Sequence, residues 1–134
     1  MDLAQTYSIT ITALGALAVL MFCQLLIADV IGLRAKHIPG SQVPADHKNL
    51  LFRASRTVAN TNEGIAIFLL AVIFCMLSGA SASATAYAAW VFVGGRFFYA
   101  LCYYFNLQLL RSTVFGISLV ALAALLIIGF TAGF

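Results

Sequence analysis

The sequence predicts an all-α integral membrane protein, a single domain over residues 1–134 folded as a four-transmembrane-helix up-down bundle. Three observations carry that prediction. Hydrophobic residues fill 63% of the 134 positions and charged ones 8%, with a mean hydropathy of +1.06, far from the balance of a water-soluble domain. The length holds about four helical spans, since a ~30 Å hydrocarbon core takes roughly 20 residues to cross. The basic side chains gather beside two of the three connections, the asymmetry expected of loops on opposite sides of a membrane.

The first span is SITITALGALAVLMFCQLLIADVIGL, Ser8 to Leu33, interrupted only by Asp29 near its far end. It is longer than a signal-peptide core and is followed by charge, not by a small-residue cleavage site, so it should stay on the mature protein. RAKHIPGSQVPADHKN then holds both prolines and both histidines, the composition of a loop. The second helix is expected to begin near His47 or Lys48 and to run to Ser78, its first three turns at or above the membrane surface. SGASASA, residues 78 to 84, reads as a small-residue turn. A third span follows from Thr85 to Phe105, NLQLLR connects, and a fourth span runs from Ser112 to Thr131. Gly15, Ala16 and Ala18 in the first span and Ala121, Ala123 and Ala124 in the fourth permit close helix approach.

Arg34, Lys36, Lys48, Arg53 and Arg56 surround the first connection and Arg111 marks the third, whereas the second connection and both termini carry no basic side chain. That pattern predicts both termini outside and the first and third loops in the cytoplasm. The net charge of +3 is therefore a topology signal and implies no nucleic-acid partner. Cys23, Cys75 and Cys102 each sit in an apolar run, without CxxC spacing or a nearby histidine, so no metal site is expected.

An ionisable group at the centre of a membrane helix costs at least ~2.5 to 3.5 kcal/mol, so by default it faces protein, water or a ligand. On the second helix Arg56, Asn60 and Glu63 stand at i, i+4 and i+7, one face, and Arg53 extends the stripe by a turn. On the third, Arg96, Tyr99 and Tyr103 repeat the pattern. Each group also has a structural reading. Arg53 and Arg56 fit snorkelling to lipid headgroups, Glu63 and Arg96 fit a buried ion pair, and the tyrosines fit an interfacial aromatic belt. Asp29 stands within reach of Arg34, and His37 and His47 belong to the solvated loop. From the residues alone, the result is a net-basic, cytoplasm-facing polar site suited to a small anionic ligand.

The spacing RxxRxxxNxxE, formed by Arg53, Arg56, Asn60 and Glu63, resembles the second-helix signature of the MAPEG family, the membrane-associated proteins in eicosanoid and glutathione metabolism. RFFYALCYYFNLQLLRS is similar to the R-x-x-[YH]-x-x-x-Y segment of the same family, followed by an arginine at the start of the fourth helix. The resemblance covers essentially the whole chain. It implies a homotrimer that binds glutathione, as co-substrate, between subunits near the cytoplasmic face. Arg34, Arg53, Arg56, Asn60, Glu63, Arg96, Tyr99 and Tyr103 would hold the tripeptide, with Glu63 on its ammonium group and arginines on its carboxylates. Arg111 would stabilise the thiolate, with Ser112 as hydrogen-bond donor. The implied activity is that of a glutathione transferase or peroxidase acting on lipophilic electrophiles or lipid hydroperoxides. The alternative is a non-catalytic member that binds a lipid or serves as a partner subunit in a membrane assembly. The compact chain, with no basic tail, points to a bacterial inner membrane.

Overall fold

The computed structural model describes residues 2–132. A single turn, α1 (Leu3–Thr6), precedes four long helices: α2 (Ser8–Arg34), α3 (Leu50–Leu77), α4 (Ala82–Tyr104) and α5 (Gln108–Ala132). There is no strand among the described residues. Local chemistry starts the helices where the chain allows it. The Asn49 side chain accepts from Leu51 N at 2.9 Å and caps α3, and Ser81 does the same for α4 through Ala84 N at 3.4 Å.

Three helices end on the same device. After α2, α3 and α4 the chain passes through one residue at positive φ: Lys36 (52°), Gly79 (69°) and Asn106 (58°). The next amide then reaches back to the helix: His37 N donates to Gly32 O, Ala80 N to Cys75 O, and Leu107 N to Cys102 O, all at 2.8–3.0 Å. This Schellman closure satisfies carbonyls that would otherwise end unpaired, which matters most where lipid offers no substitute donor.

Cross-helix contacts fix the directions. Tyr7 donates its hydroxyl to Ala80 O at 2.6 Å, tying the start of α2 to the end of α3. Arg53 Nη2 reaches Tyr104 O at 3.4 Å and ties the start of α3 to the end of α4. Cys75 Sγ donates to Leu125 O at 3.1 Å, so the second half of α5 lies beside the end of α3. Successive long helices therefore alternate in direction. The closest pair is α4 with α5, while α2 packs on α3 and α4, leaving α2 and α5 at opposite corners. Gly95 lets α4 approach α5 so nearly that a Cβ there would collide with Ser118.

The core is narrow on α2, whose buried residues Thr10, Ala13, Leu17 and Gln24 form one stripe, and wide on α4, which buries a dozen residues. Phe68 and Phe92 stack at 4.2 Å where α3 meets α4. Outside the core, large apolar side chains such as Val19, Phe22, Leu70, Val120 and Ile127 point outward, the surface of a protein whose solvent is lipid.

Several expected boundaries move. The helix expected from His47 or Lys48 begins at Leu50, because Asp46 turns the backbone first, its carboxylate accepting from Lys48 N at 2.9 Å. The turn expected over residues 78–84 closes by Ser81, and Ser83 and Ala84 already belong to α4. The NLQLLR connection shortens to Phe105, Asn106 and Leu107, so Arg111 lies inside α5 and not ahead of it. Three of the four expected spans, α2, α3 and α5, are long and apolar enough to cross a membrane. The 23-residue α4 is long enough but more polar, since it carries Arg96 and four tyrosines.

Candidate functional site

The expected site residues gather at the end of the bundle that holds the 35–49 segment and the α4–α5 turn. Buried and exposed members divide the stripe on α3. Asn60 turns inward, whereas the side chains of Arg56 and Glu63 remain 40% and 62% exposed and face each other, Arg56 Nη2 lying 3.8 Å from Glu63 Oε1. This is the one ion pair among the described residues. The pairing of Glu63 with Arg96, open on spacing alone, is not formed: Glu63 stands about 60° round α3 from the inward-turned Asn60 and lies beside Arg56 at the surface.

Arg96 instead donates through Nη1 to Asn60 Oδ1 at 2.7 Å. Only 2% of the residue is exposed, an unusual position for a guanidinium. Its compensation comes from dipoles and ring faces: the guanidinium carbon lies 5.0 Å from the Phe92 ring centre, 5.5 Å from Phe115 and 5.9 Å from Tyr99. No carboxylate pairs with it among the described residues, and its Nε has no hydrogen-bond partner. A buried cation held this way creates a standing demand for negative charge nearby.

From Arg96 the aromatic contacts lead outward to α5. The Tyr99 and Tyr103 rings meet edge to face at 5.1 Å, Tyr99 also leans on Phe115 at 5.9 Å, and Arg111 lies 4.6 Å above the Tyr103 ring. The pair of tyrosines thus stands between two arginines, one buried and one half-buried. Chemically, the cluster offers cations for carboxylate or thiolate groups, one carboxylate for an ammonium group, and a dry aromatic wall between them.

The remaining site candidates stand apart. Arg53 directs Nη1 to the carbonyls of His47 at 2.6 Å and Lys48 at 3.0 Å, and Nη2 to Tyr104 O, so it fastens backbone at the ends of α3 and α4. Arg34 is exposed at the C-terminus of α2, where a cation suits the helix dipole. Ser112 is exposed, with Oγ donating to Gln108 O at 3.4 Å.

Two residues that shape the site carry no signal in a motif. Gly64 follows Glu63, and a Cβ there would come within 3.0 Å of Arg96 Nη2, so the absent side chain makes room for the guanidinium. Phe92, one turn before Arg96, supplies the nearest ring face. A phenylalanine four residues before a buried arginine could have been read from helical spacing.

The family model for the MAPEG family matches residues 10–131, nearly the whole chain and all of the residues just described. No curated protein and no solved structure matches.

Proposed function

Since the chain belongs to the MAPEG family and is an integral membrane protein, we propose that it is a glutathione-dependent transferase or peroxidase whose substrates are lipophilic electrophiles or lipid hydroperoxides. The observation that carries this reading is the Arg111 guanidinium held on the Tyr103 ring at the same end of the bundle as the Arg56–Glu63 pair. Glutathione has two carboxylates, one ammonium group and a thiol. Glu63 complements the ammonium group, and Arg56, with Arg34 at the end of α2, complements the carboxylates. Arg111 lowers the pKa of the thiol, ordinarily ~8.5, and so raises the thiolate fraction at neutral pH. The buried Arg96, held by Asn60, contributes positive potential from behind, and Tyr99 and Tyr103 exclude water from the sulfur. Ser112 reaches the thiolate after turning its hydroxyl away from Gln108.

In this reading α4 crosses the membrane together with α2, α3 and α5. The 35–49 and 105–107 connections face the cytoplasm, as in a bacterial inner membrane, and both termini lie outside. The exposure of Glu63, more than three turns into α3, supports a homotrimer, since lipid is a costly neighbour for a charge and a second subunit is not.

The test is to add glutathione to the detergent-solubilised protein and record binding together with the ultraviolet absorbance of the thiolate. Binding with a thiolate signal is expected. Neither binding nor signal would overturn the reading, and binding without a signal would favour a non-catalytic binder. That second reading draws on Ser112, whose hydroxyl is turned to its own helix. Native mass spectrometry should give a trimer, and a clean monomer would contradict an intersubunit site.

A further inference from the structure

The two connections at the polar end stand at one level along the bundle, yet their side chains suit different solvents. Arg53 fixes the level, since one guanidinium donates to His47 O and Lys48 O on one side and to Tyr104 O on the other. The 35–49 segment and its edge carry Arg34, Lys36, His37, Asp46, His47 and Lys48, the composition of a loop in water. Residues 97 to 110 hold no acidic, basic or histidine side chain. Within them Phe105 is 71% and Leu109 88% exposed, with Leu107 and Leu110 exposed beside them. This patch continues the outward apolar surface that Phe97 and Phe98 begin on α4, and Asn106, Gln108 and Arg111 edge it. A contiguous apolar patch with a polar rim marks a contact surface, where scattered apolar side chains would not.

The backbone of this corner is fit to leave water. Phe105 N donates to Leu101 O at 2.9 Å, Asn106 N to Tyr103 O at 3.1 Å and Leu107 N to Cys102 O at 2.8 Å, so the turn itself leaves no amide for lipid to strand. The first amides of α5 have no carbonyl within their helix, which limits the descent to the layer where headgroup and ester oxygens can accept from them. The plan of the bundle supplies the depth. α2 and α5 occupy opposite corners, about 13 Å apart for neighbouring axes separated by ~8–10 Å. A tilt of about 20°, ordinary for membrane helices, lowers one corner against the other by about 5 Å. That is close to the thickness of one headgroup layer, about 5–7 Å.

We propose that the corner formed by residues 105–110 is a lipid-contact surface, sunk to the boundary between headgroups and acyl chains, while the 35–49 segment at the same end stays in water. The bundle therefore lies tilted, with the α4–α5 corner in the membrane. Its partner is the ester and headgroup layer of the leaflet on that side. Phe105 and Leu109 enter the acyl region, and Asn106 and Gln108 meet the ester oxygens. Arg111, in the first turn of α5, then lies at the boundary and not in open water. The inference rests on the membrane embedding of the bundle and uses neither glutathione nor turnover, so it stands or falls apart from the catalytic reading.

The experiment uses the whole protein in phospholipid vesicles without glutathione. Trp90→Phe removes the single native tryptophan, and Leu109→Trp, Phe105→Trp or Gln42→Trp then places one reporter at a time, the last on the exposed 35–49 segment. Fluorescence is quenched either by iodide in the water or by phospholipid brominated near the ester end of its chains. The reporters at 105 and 109 should be quenched several-fold more by the brominated lipid than by iodide, with emission shifted to the blue, and the reporter at 42 should show the reverse. In the unsubstituted protein, a soluble gadolinium chelate should broaden the amide signals of residues 38–45 and spare those of 105–110, a readout that needs no variant to fold. Iodide reaching 105 and 109 as readily as 42 would overturn the proposal. So would protection from both quenchers, which would mean that a second copy covers the corner, and so would lipid quenching at 42, which would remove the tilt.

Discussion

The two ends of the bundle are built from different materials. At the end where α2 starts and α3 turns into α4, contacts are apolar or made to backbone: Tyr7 on Ala80 O, Cys75 on Leu125 O, and Gly129 against Phe74. At the other end, arginines, tyrosines, an asparagine and a glutamate occupy the same helix seams, and several of their polar atoms have no partner. Packing holds the helix seams of the first end, where Asp2, the cap of α1, is the one charged side chain among the described residues. The second gathers several charges, and among the described residues no carboxylate pairs with the buried Arg96. The contrast separates apolar packing from charge along the helix axis.

The sharpest way to break that separation is Arg111→Ala. Turnover should fall about 10²-fold or more, the usual scale for losing one preorganised charge-stabilising group, while the unfolding midpoint in detergent stays close to wild type. A large loss of stability with little loss of turnover would show that the polar end is structural. At the opposite end, Gly129→Val should cost about 1–3 kcal/mol by overpacking, because a Cβ at that position already meets Phe74 Cδ1 at 2.5 Å. Glutathione affinity measured by calorimetry should not change.

Within the polar end, Arg56→Ala and Glu63→Gln should weaken glutathione binding more than Arg53→Ala. The Arg53 variant should instead lose about 1–3 kcal/mol of stability, since it strips hydrogen bonds from three backbone carbonyls. Equal effects on affinity would mean that Arg53 also touches the ligand. The smallest effect is expected from Lys36→Gly, which should stabilise the protein by about 1 kcal/mol in thermal or denaturant unfolding by relieving a left-handed backbone at φ 52°.

Much of the fold was legible because membrane helices announce themselves by apolar length. The Ser8 start of α2 and the order of the long helices follow from it. Boundaries set by capping were harder to read. Asp46 and Asn49 delay α3, and Asn106 permits a turn of three residues where hydropathy suggested six, because left-handed closures leave little trace in composition. The site was legible as spacing and less so as orientation. Helical periodicity put Arg56, Asn60 and Glu63 on one side of α3, but that side straddles the edge of the core, so Asn60 is buried, Arg56 half-buried and Glu63 exposed. Whether Asn60 meets Arg96 depends on how α3 and α4 rotate against each other. Gly64 and Phe92 settle that rotation through packing, which no pattern within one helix encodes.

The two connections at the polar end differ in length, fifteen residues between α2 and α3 and three between α4 and α5, and this bears on how such a chain can evolve. Insertions and deletions should pass lightly through the exposed 35–49 segment, because loop closure entropy changes slowly with length. The turn at Phe105, Asn106 and Leu107 has no slack. There, a single added residue would change where α5 starts relative to Tyr103 and swing Arg111 off its ring, so the chain length from Tyr103 to Arg111 acts as a ruler for the place of that guanidinium.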